Sequence, residues 1–236
     1  MIQTLRDIAI TLSMKNDAEK EITDKAILIL GASVSGKSSI IAQWLGKNPP
    51  NGKRAPGIEY SWSRKTNKIC HIWEMLETIS PKVISTILKP ERQFKPVLFL
   101  IVFDLSRPNS ITLDAQQIFN NVSGFSPENI IIIGSKYDIF QNLESEMKKN
   151  VCKFLRGIAL LRSAHLIFYS HEIPALVKRF GELLNSIIWS SGNSRAALSK
   201  DYHTPLYITP SSDSWSDLGI NACSLEQLCN AYNRQF

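Results

Sequence analysis

The sequence has 236 residues, 44% hydrophobic and 20% charged, with a formal net charge of +6; this suits one domain with appendages and a sizeable core. The positive excess is mild and spread out, without a run of five basic residues, so no nucleic-acid surface is expected. No apolar run approaches the roughly 20 residues of a membrane span, the N-terminus lacks the pattern of a signal peptide, and Cys70, Cys152, Cys223 and Cys229 form no CxxC pair, which predicts reduced cytosolic thiols rather than disulfides or zinc.

Ile2, Leu5, Ile8, Ala9 and Leu12 recur at helical spacing and predict a short amphipathic helix within residues 1–20. A buried strand follows at Ala26–Leu30, then a glycine loop and a helix from Lys37 to Leu45. Asn48–Gly57, rich in Pro, Gly and Lys, reads as a loop. Ile58–Met75 alternates in sidedness around a polar Lys65-Thr66-Asn67-Lys68 centre, the pattern of an antiparallel hairpin. Ser80-Pro81 supplies an N-cap and first position for a helix to about Leu88. Pro96–Ser106 is continuously apolar, as a strand buried on both faces should be. Asn109–Asn121 reads as a short helix, and Asn129–Asp138 as a second buried strand with its exit loop. Glu144–Leu161 aligns Val151, Leu155 and Ile158 on one helical face. His165–Ser170 is the last predicted strand and Pro174–Trp189 the last long helix. His71 and His165 lie in strand-like runs and are expected to be partly buried structural groups.

Alternating strands and helices predict an α/β fold: a three-layer, P-loop, small-GTPase-like sheet, mostly parallel, with helices on both faces and one antiparallel edge hairpin. The expected organisation is the N-terminal helix (1–20), a P-loop domain (21–192) and a C-terminal tail (193–236) packing on the domain or a partner. From Ser190 to Pro205 the chain is polar and reads as flexible, and Leu225–Tyr232 reads as a weak helical piece.

Gly31-Ala32-Ser33-Val34-Ser35-Gly36-Lys37-Ser38 fits G-x-x-x-x-G-K-[ST] and has the required apolar strand before it and helix after it. Glycines let successive backbone N–H groups approach phosphates at a helix start, which here includes Ser39. Lys37 is expected to reach the β- and γ-phosphates, and the Ser38 hydroxyl to ligate Mg²⁺. The expected ligand is therefore GTP or GDP with Mg²⁺, or the loop keeps its shape empty.

Ser135-Lys136-Tyr137-Asp138 resembles the guanine-reading N-K-x-D of small GTPases. Asp138 would accept from the guanine edge and Lys136 would lie over the base; Ser135 in place of Asn is expected to weaken the loop's hydrogen bonding. The hydrolytic parts depart further. Where a small GTPase has D-x-x-G-Q, this chain reads Glu74-Met75-Leu76-Glu77-Thr78. Glu74 could hold a metal water, Glu77 crowds the terminal phosphate, and Thr78 replaces the water-orienting Gln. Ala55 stands for the switch threonine, and Ser170-His171-Glu172 replaces S-A-K. Asp104 is expected to cap a strand end rather than act as a Walker B acid. No catalytic residue is assigned, and hydrolysis is expected to be absent or very slow.

Five stretches carry a family resemblance: Gly57–Lys65 (GIEYSWSRK), Ile69–Glu77 (ICHIWEMLE), Phe99–Ser110 (FLIVFDLSRPNS), Ile131–Lys149 (IIIGSKYDIFQNLESEMKK) and Thr204–Trp215 (TPLYITPSSDSW). Together with the loop they make the chain resemble the light intermediate chains of cytoplasmic dynein-2 from about Leu5 to Trp215. Two departures stand out: the segment between Asp114 and Asn129 is shorter than in that family, and the long C-terminal region of the dynein-1 paralogues is missing. The resemblance implies a non-catalytic motor subunit whose Ras-like domain packs on the helical tail of the dynein-2 heavy chain. Its other partners would be further dynein-2 subunits and, indirectly, intraflagellar transport trains. Its setting would be retrograde transport in cilia and flagella. Trp44, Trp62, Trp189 and Trp215 are candidate interface anchors. The alternatives are a Rab- or Ras-like switch, for which the C-terminal NRQF offers no prenylation cysteine, a dynein-1 light intermediate chain, and a P-loop kinase.

Overall fold

The computed structural model describes residues 24–49, 57–66, 68–76, 81–87, 97–122, 129–190, 197–220, 222 and 224–234. The predicted N-terminal helix, Ala55, Glu77 and Thr78 lie outside these residues. The strands are β1 (Lys25–Gly31), β2 (Ile58–Lys65), β3 (Lys68–Met75), β4 (Val97–Asp104), β5 (Asn129–Ser135), β6 (His165–Phe168) and β7 (Tyr207–Ile208). The helices are α1 (Lys37–Trp44), α2 (Pro81–Ile87), α3 (Ile111–Val122), α4 (Tyr137–Phe140), α5 (Ser145–Leu161), α6 (Pro174–Trp189), α7 (Trp215–Leu218) and α8 (Leu225–Asn233). A 3₁₀ turn, Pro108–Ser110, leads into α3.

The seven strands form one sheet in the order β2-β3-β1-β4-β5-β6-β7. β3, β1, β4, β5 and β6 pair in parallel, while β2 joins β3 antiparallel, as the hairpin pattern predicts. Successive side chains on a strand point to opposite faces, so β1 feeds two cores. Ala26, Leu28 and Leu30 face a layer with Phe99, Ile101 and Phe103 of β4, Ala115 of α3 and Leu155 of α5. Ile27 and Ile29 face the other layer, with Leu100 and Val102 of β4, Ile40 of α1, and Phe180 and Leu184 of α6. This is why β1 and β4 read as unbroken apolar runs rather than alternating ones.

The second antiparallel edge was not expected. β7 pairs with β6 through Leu166↔Ile208 and Ile167↔Tyr207. Two residues are too few for a period-2 signal, so the sequence conceals this strand. Part of the stretch read as flexible is correspondingly fixed: Ser199 and Tyr207 exchange backbone hydrogen bonds of 2.9 and 3.0 Å. α8 is the predicted weak helix, capped by Ser224, whose hydroxyl accepts from Gln227 N. Its Leu228, Cys229 and Tyr232 are buried in the same core as β1 and α5. Tyr232 Oη donates to Pro108 O at 3.0 Å, and its ring lies 4.9 Å from that of Phe154. The region read as a tail is thus, where described, part of the domain's packing.

Candidate functional site

β1, β4, β5 and β6 run in parallel, so their carboxyl ends open on one side of the sheet, where ligands bind in sheets of this kind. The glycine loop leaves β1 there. A Cβ on Gly31 would lie 2.5 Å from Val102 O, and Gly31 has φ +156°, so only glycine lets the chain pass β4 this closely. Gly31→Ala is expected to cost about 3 kcal/mol, the scale of overpacking against immovable backbone, to be read by urea denaturation. Gly36, at φ 91°, is the N-cap of α1 and makes no side-chain cap. The cap position thus puts no side chain over the start of α1.

Lys37 is 4% exposed. Its Nζ donates to Gly31 O at 2.9 Å and Ala32 O at 2.7 Å, which folds the ammonium over the loop. Burial pulls its pKa down to about 8, opposed by the nearby Glu74 and Asp114; it remains mainly charged at neutral pH. Ser38 Oγ donates to Glu74 Oε1. Glu74 sits near the end of β3 and is 5% exposed. A hydroxyl and a carboxylate at a helix start are hard oxygen donors of the kind Mg²⁺ takes alongside phosphates. The donor set thus fits a Mg²⁺-polyphosphate. Among the described residues no group of three or more His, Cys, Asp or Glu forms a protein-only metal site.

Around Ser135, Lys136 and Ser170 the structure shows contacts that the sequence does not predict. The Ser135 hydroxyl lies 2.7 Å from Ser35 O and 3.0 Å from Phe103 O as a donor. The short side chain suffices because the loop runs close, with a Cβ built on Gly36 only 3.9 Å from Ser135 Cβ. Ser170, the first residue of the stretch that replaces S-A-K, is tied to Asp138. It is fully buried, its Oγ donates to Asp138 Oδ1 at 2.5 Å, and it accepts from Glu172 N at 3.2 Å. Lys136, at φ 59°, sends Nζ to Asp104 Oδ2 at 2.6 Å.

Asp104 does cap its strand end, accepting from Ser106 N at 3.0 Å and Ser106 Oγ at 2.6 Å, but it is also a charge hub. It is 1% exposed and receives Arg107 Nε at 3.1 Å. Burial opposes its ionisation, yet the hydrogen bonds from Lys136 and Ser106 prevail and hold its carboxyl below the usual range. Arg107 in turn donates from Nη2 to Ser33 O at 3.1 Å. The sequence reading missed Arg107 altogether, since Ser33 lies 74 residues away.

No family model matches the chain. It is 29% identical to "Cytoplasmic dynein 2 light intermediate chain 1" of Bos taurus over 259 residues, covering 88% of this chain and 71% of that protein. The Homo sapiens protein of the same name is also 29% identical, over 250 residues covering 84% of this chain and 69% of its own. The chain is thus similar to the dynein 2 light intermediate chains. The Danio rerio protein of that name is 24% identical over 84% of this chain. The bovine match spans more positions than the 236 residues present here, so that light intermediate chain carries internal residues this chain lacks. The crystal structure of a dynein light intermediate chain's conserved domain matches with a TM-score of 0.63, covering 91% of both chains at 14% identity, and so shares the fold.

Lys37 thus reaches Gly31, Ser38 reaches Glu74, and Ser170 reaches Asp138. Of the four tryptophans expected as anchors, Trp62 is 56% exposed; Trp44, Trp189 and Trp215 are half-buried, and Trp44 Nε1 donates to Asn185 Oδ1 at 3.2 Å. Ser170→Ala is expected to lower stability by about 1–3 kcal/mol, because it removes a buried donor from a carboxylate and an acceptor from Glu172 N. Chemical denaturation checks this without any nucleotide.

Proposed function

We propose that this chain is a non-catalytic light intermediate chain of a dynein-2-type motor, packing on the heavy-chain tail and steadying it for retrograde intraflagellar transport. The observation that carries the reading is the similarity to cytoplasmic dynein 2 light intermediate chains over 84–88% of the chain. Its setting would be the cytoplasm and the cilium or flagellum, with other dynein-2 subunits and, indirectly, transport trains as partners. Among the described residues no helix is long and apolar enough to cross a membrane.

The ligand of the P-loop crevice would be GTP or GDP with Mg²⁺. Residues 31–39 would cradle the phosphates, Ser38 and Glu74 would face the ion, and Asp138, oriented by Ser170, would read the guanine edge. Bound Mg²⁺ would neutralise phosphate charge. Thr78 where a glutamine would aim water argues for a ligand that is held rather than turned over.

The test is co-expression with the heavy-chain tail of the same motor. A one-to-one complex that survives size exclusion is expected; separate elution of the two chains would remove the motor-subunit reading. A free GTP-binding switch is the second reading, favoured by the intact Ser38–Glu74 and Asp138–Ser170 pairs. Guanine nucleotide released on denaturation, together with rapid single-turnover hydrolysis, would favour the switch instead.

A further inference from the structure

We propose that Arg107 is a positioning residue of the phosphate loop, holding the Ser33–Val34 peptide so that the Val34 N–H is aimed at, and polarised toward, a bound polyphosphate; this rests on the nucleotide reading above. The two arms of its guanidinium are used at once. Nε binds Asp104 Oδ2 at 3.1 Å and Nη2 binds Ser33 O at 3.1 Å. Asp104 is itself fixed by Lys136 and Ser106, so the guanidinium is anchored on a buried, multiply hydrogen-bonded carboxylate.

Two physical arguments lead from this bridge to the loop. In a trans peptide the carbonyl and the following N–H point in opposite directions. A cation on Ser33 O therefore lies behind the peptide whose N–H belongs to Val34, and hydrogen bonds in series strengthen one another. The second argument is strain. Val34 has φ 62°, a left-handed conformation that is an outlier for a β-branched residue. Its side chain is 74% exposed, so packing does not hold it there. The peptide plane just before it sits in a turn closed by Ser35 N donating to Ala32 O at 3.3 Å, and the Arg107 bond to Ser33 O adds the side-chain hold. A left-handed residue in such a loop turns successive N–H groups into one anion-binding concavity. Arginine suits the task because its planar fork serves two acceptors at a fixed angle, which a lysine's point charge does not.

The experiment uses the full chain, Arg107→Ala and Arg107→Lys, with Mg-GDP and with inorganic pyrophosphate as probes. Isothermal titration gives affinities, and the ¹⁵N–¹H resonance of Val34 in the unliganded protein reports on the peptide itself. Arg107→Ala is expected to weaken both probes about tenfold, Arg107→Lys is expected not to restore them, and the Val34 amide proton is expected to move upfield. Unchanged affinity in Arg107→Ala with the parent still binding would overturn the role of Arg107 alone. A parent that binds neither probe would overturn the nucleotide reading and this inference together. A merely structural arginine would lower the melting temperature without shifting Val34 selectively or separating Lys from Arg, and that outcome too counts against the proposal.

Discussion

Arg156→Ala is expected to destabilise the protein by about 3–5 kcal/mol, the cost of stranding one member of a buried ion pair, or roughly 6–20 °C in Tm for a chain of this size. Arg156 projects from α5 and grips Asp213 with both arms, Nε to Oδ2 and Nη2 to Oδ1, each at 2.7 Å. Nη1 adds a bond to Lys200 O at 3.3 Å. The Asp213 side chain is 2% exposed and the Arg156 side chain 13%. With the guanidinium gone, Asp213 keeps Ser214 N at 3.0 Å and Lys200 Nζ at 3.5 Å, too little to offset its burial. The segment that carries β7 and α7 would then lose its fastening to α5. The loss should depend on pH. Burial works against the charge on Asp213, but its bond from Arg156 outweighs this and holds the carboxyl below its ordinary range. A depressed carboxyl contributes stability that is fully present above the unfolded pKa, about 3.9, and lost as pH falls through the folded one. The gap between parent and variant should therefore narrow below about pH 4. Replacing both partners, Arg156→Met with Asp213→Leu, should recover much of the stability; a double variant as weak as the single one would show that the pair is not the source.

That ion pair also marks where sequence reading stops. Ala26–Leu30 and Pro96–Ser106 were legible because a strand buried on both faces is apolar throughout, and that property is local. The glycine loop was legible because spacing along the chain fixes it. Lys37, Ser38 and Asp138 were singled out from motif positions alone. Nothing local joins Arg156 to Asp213, Arg107 to Ser33 or Lys136 to Asp104; each partner arrives by a crossover of the sheet, 57, 74 and 32 residues away. Ser170 shows a different loss. Matched as a block, Ser170-His171-Glu172 looks unlike S-A-K, yet its serine hydroxyl bonds Asp138. Read by the job of each atom rather than by the letters, the motif keeps its first member. Ser135 makes the same point, since one hydroxyl reaches the loop wherever the backbones approach closely enough.

Lys37→Met is expected to weaken binding of Mg-GDP by about a hundredfold, since a charge-assisted contact to phosphate is worth about 1.5–3 kcal/mol and tenfold corresponds to 1.4. The ammonium is already over the loop, held by Gly31 O and Ala32 O, so little reorganisation precedes the contact. Methionine keeps most of the side chain's length and apolar stem and removes the charge and the donors. The consequence for a scaffold differs from that for an engine. If the ligand serves the fold, its value is the linkage term: at one hundred times Kd it raises the parent's stability by about 2.7 kcal/mol. At the same concentration, a hundredfold weaker variant retains only about 0.4 kcal/mol of that. The measurement is the melting temperature of each protein with and without Mg-GDP. The parent should shift by several degrees and Lys37→Met by at most about one or two, while heavy-chain binding by the variant should fail only where it melts. Equal shifts in the two proteins would mean that Lys37 does not touch the phosphates. A full shift in the parent with undiminished motor binding in a destabilised variant would separate the nucleotide from the scaffold, and the loop would need another purpose.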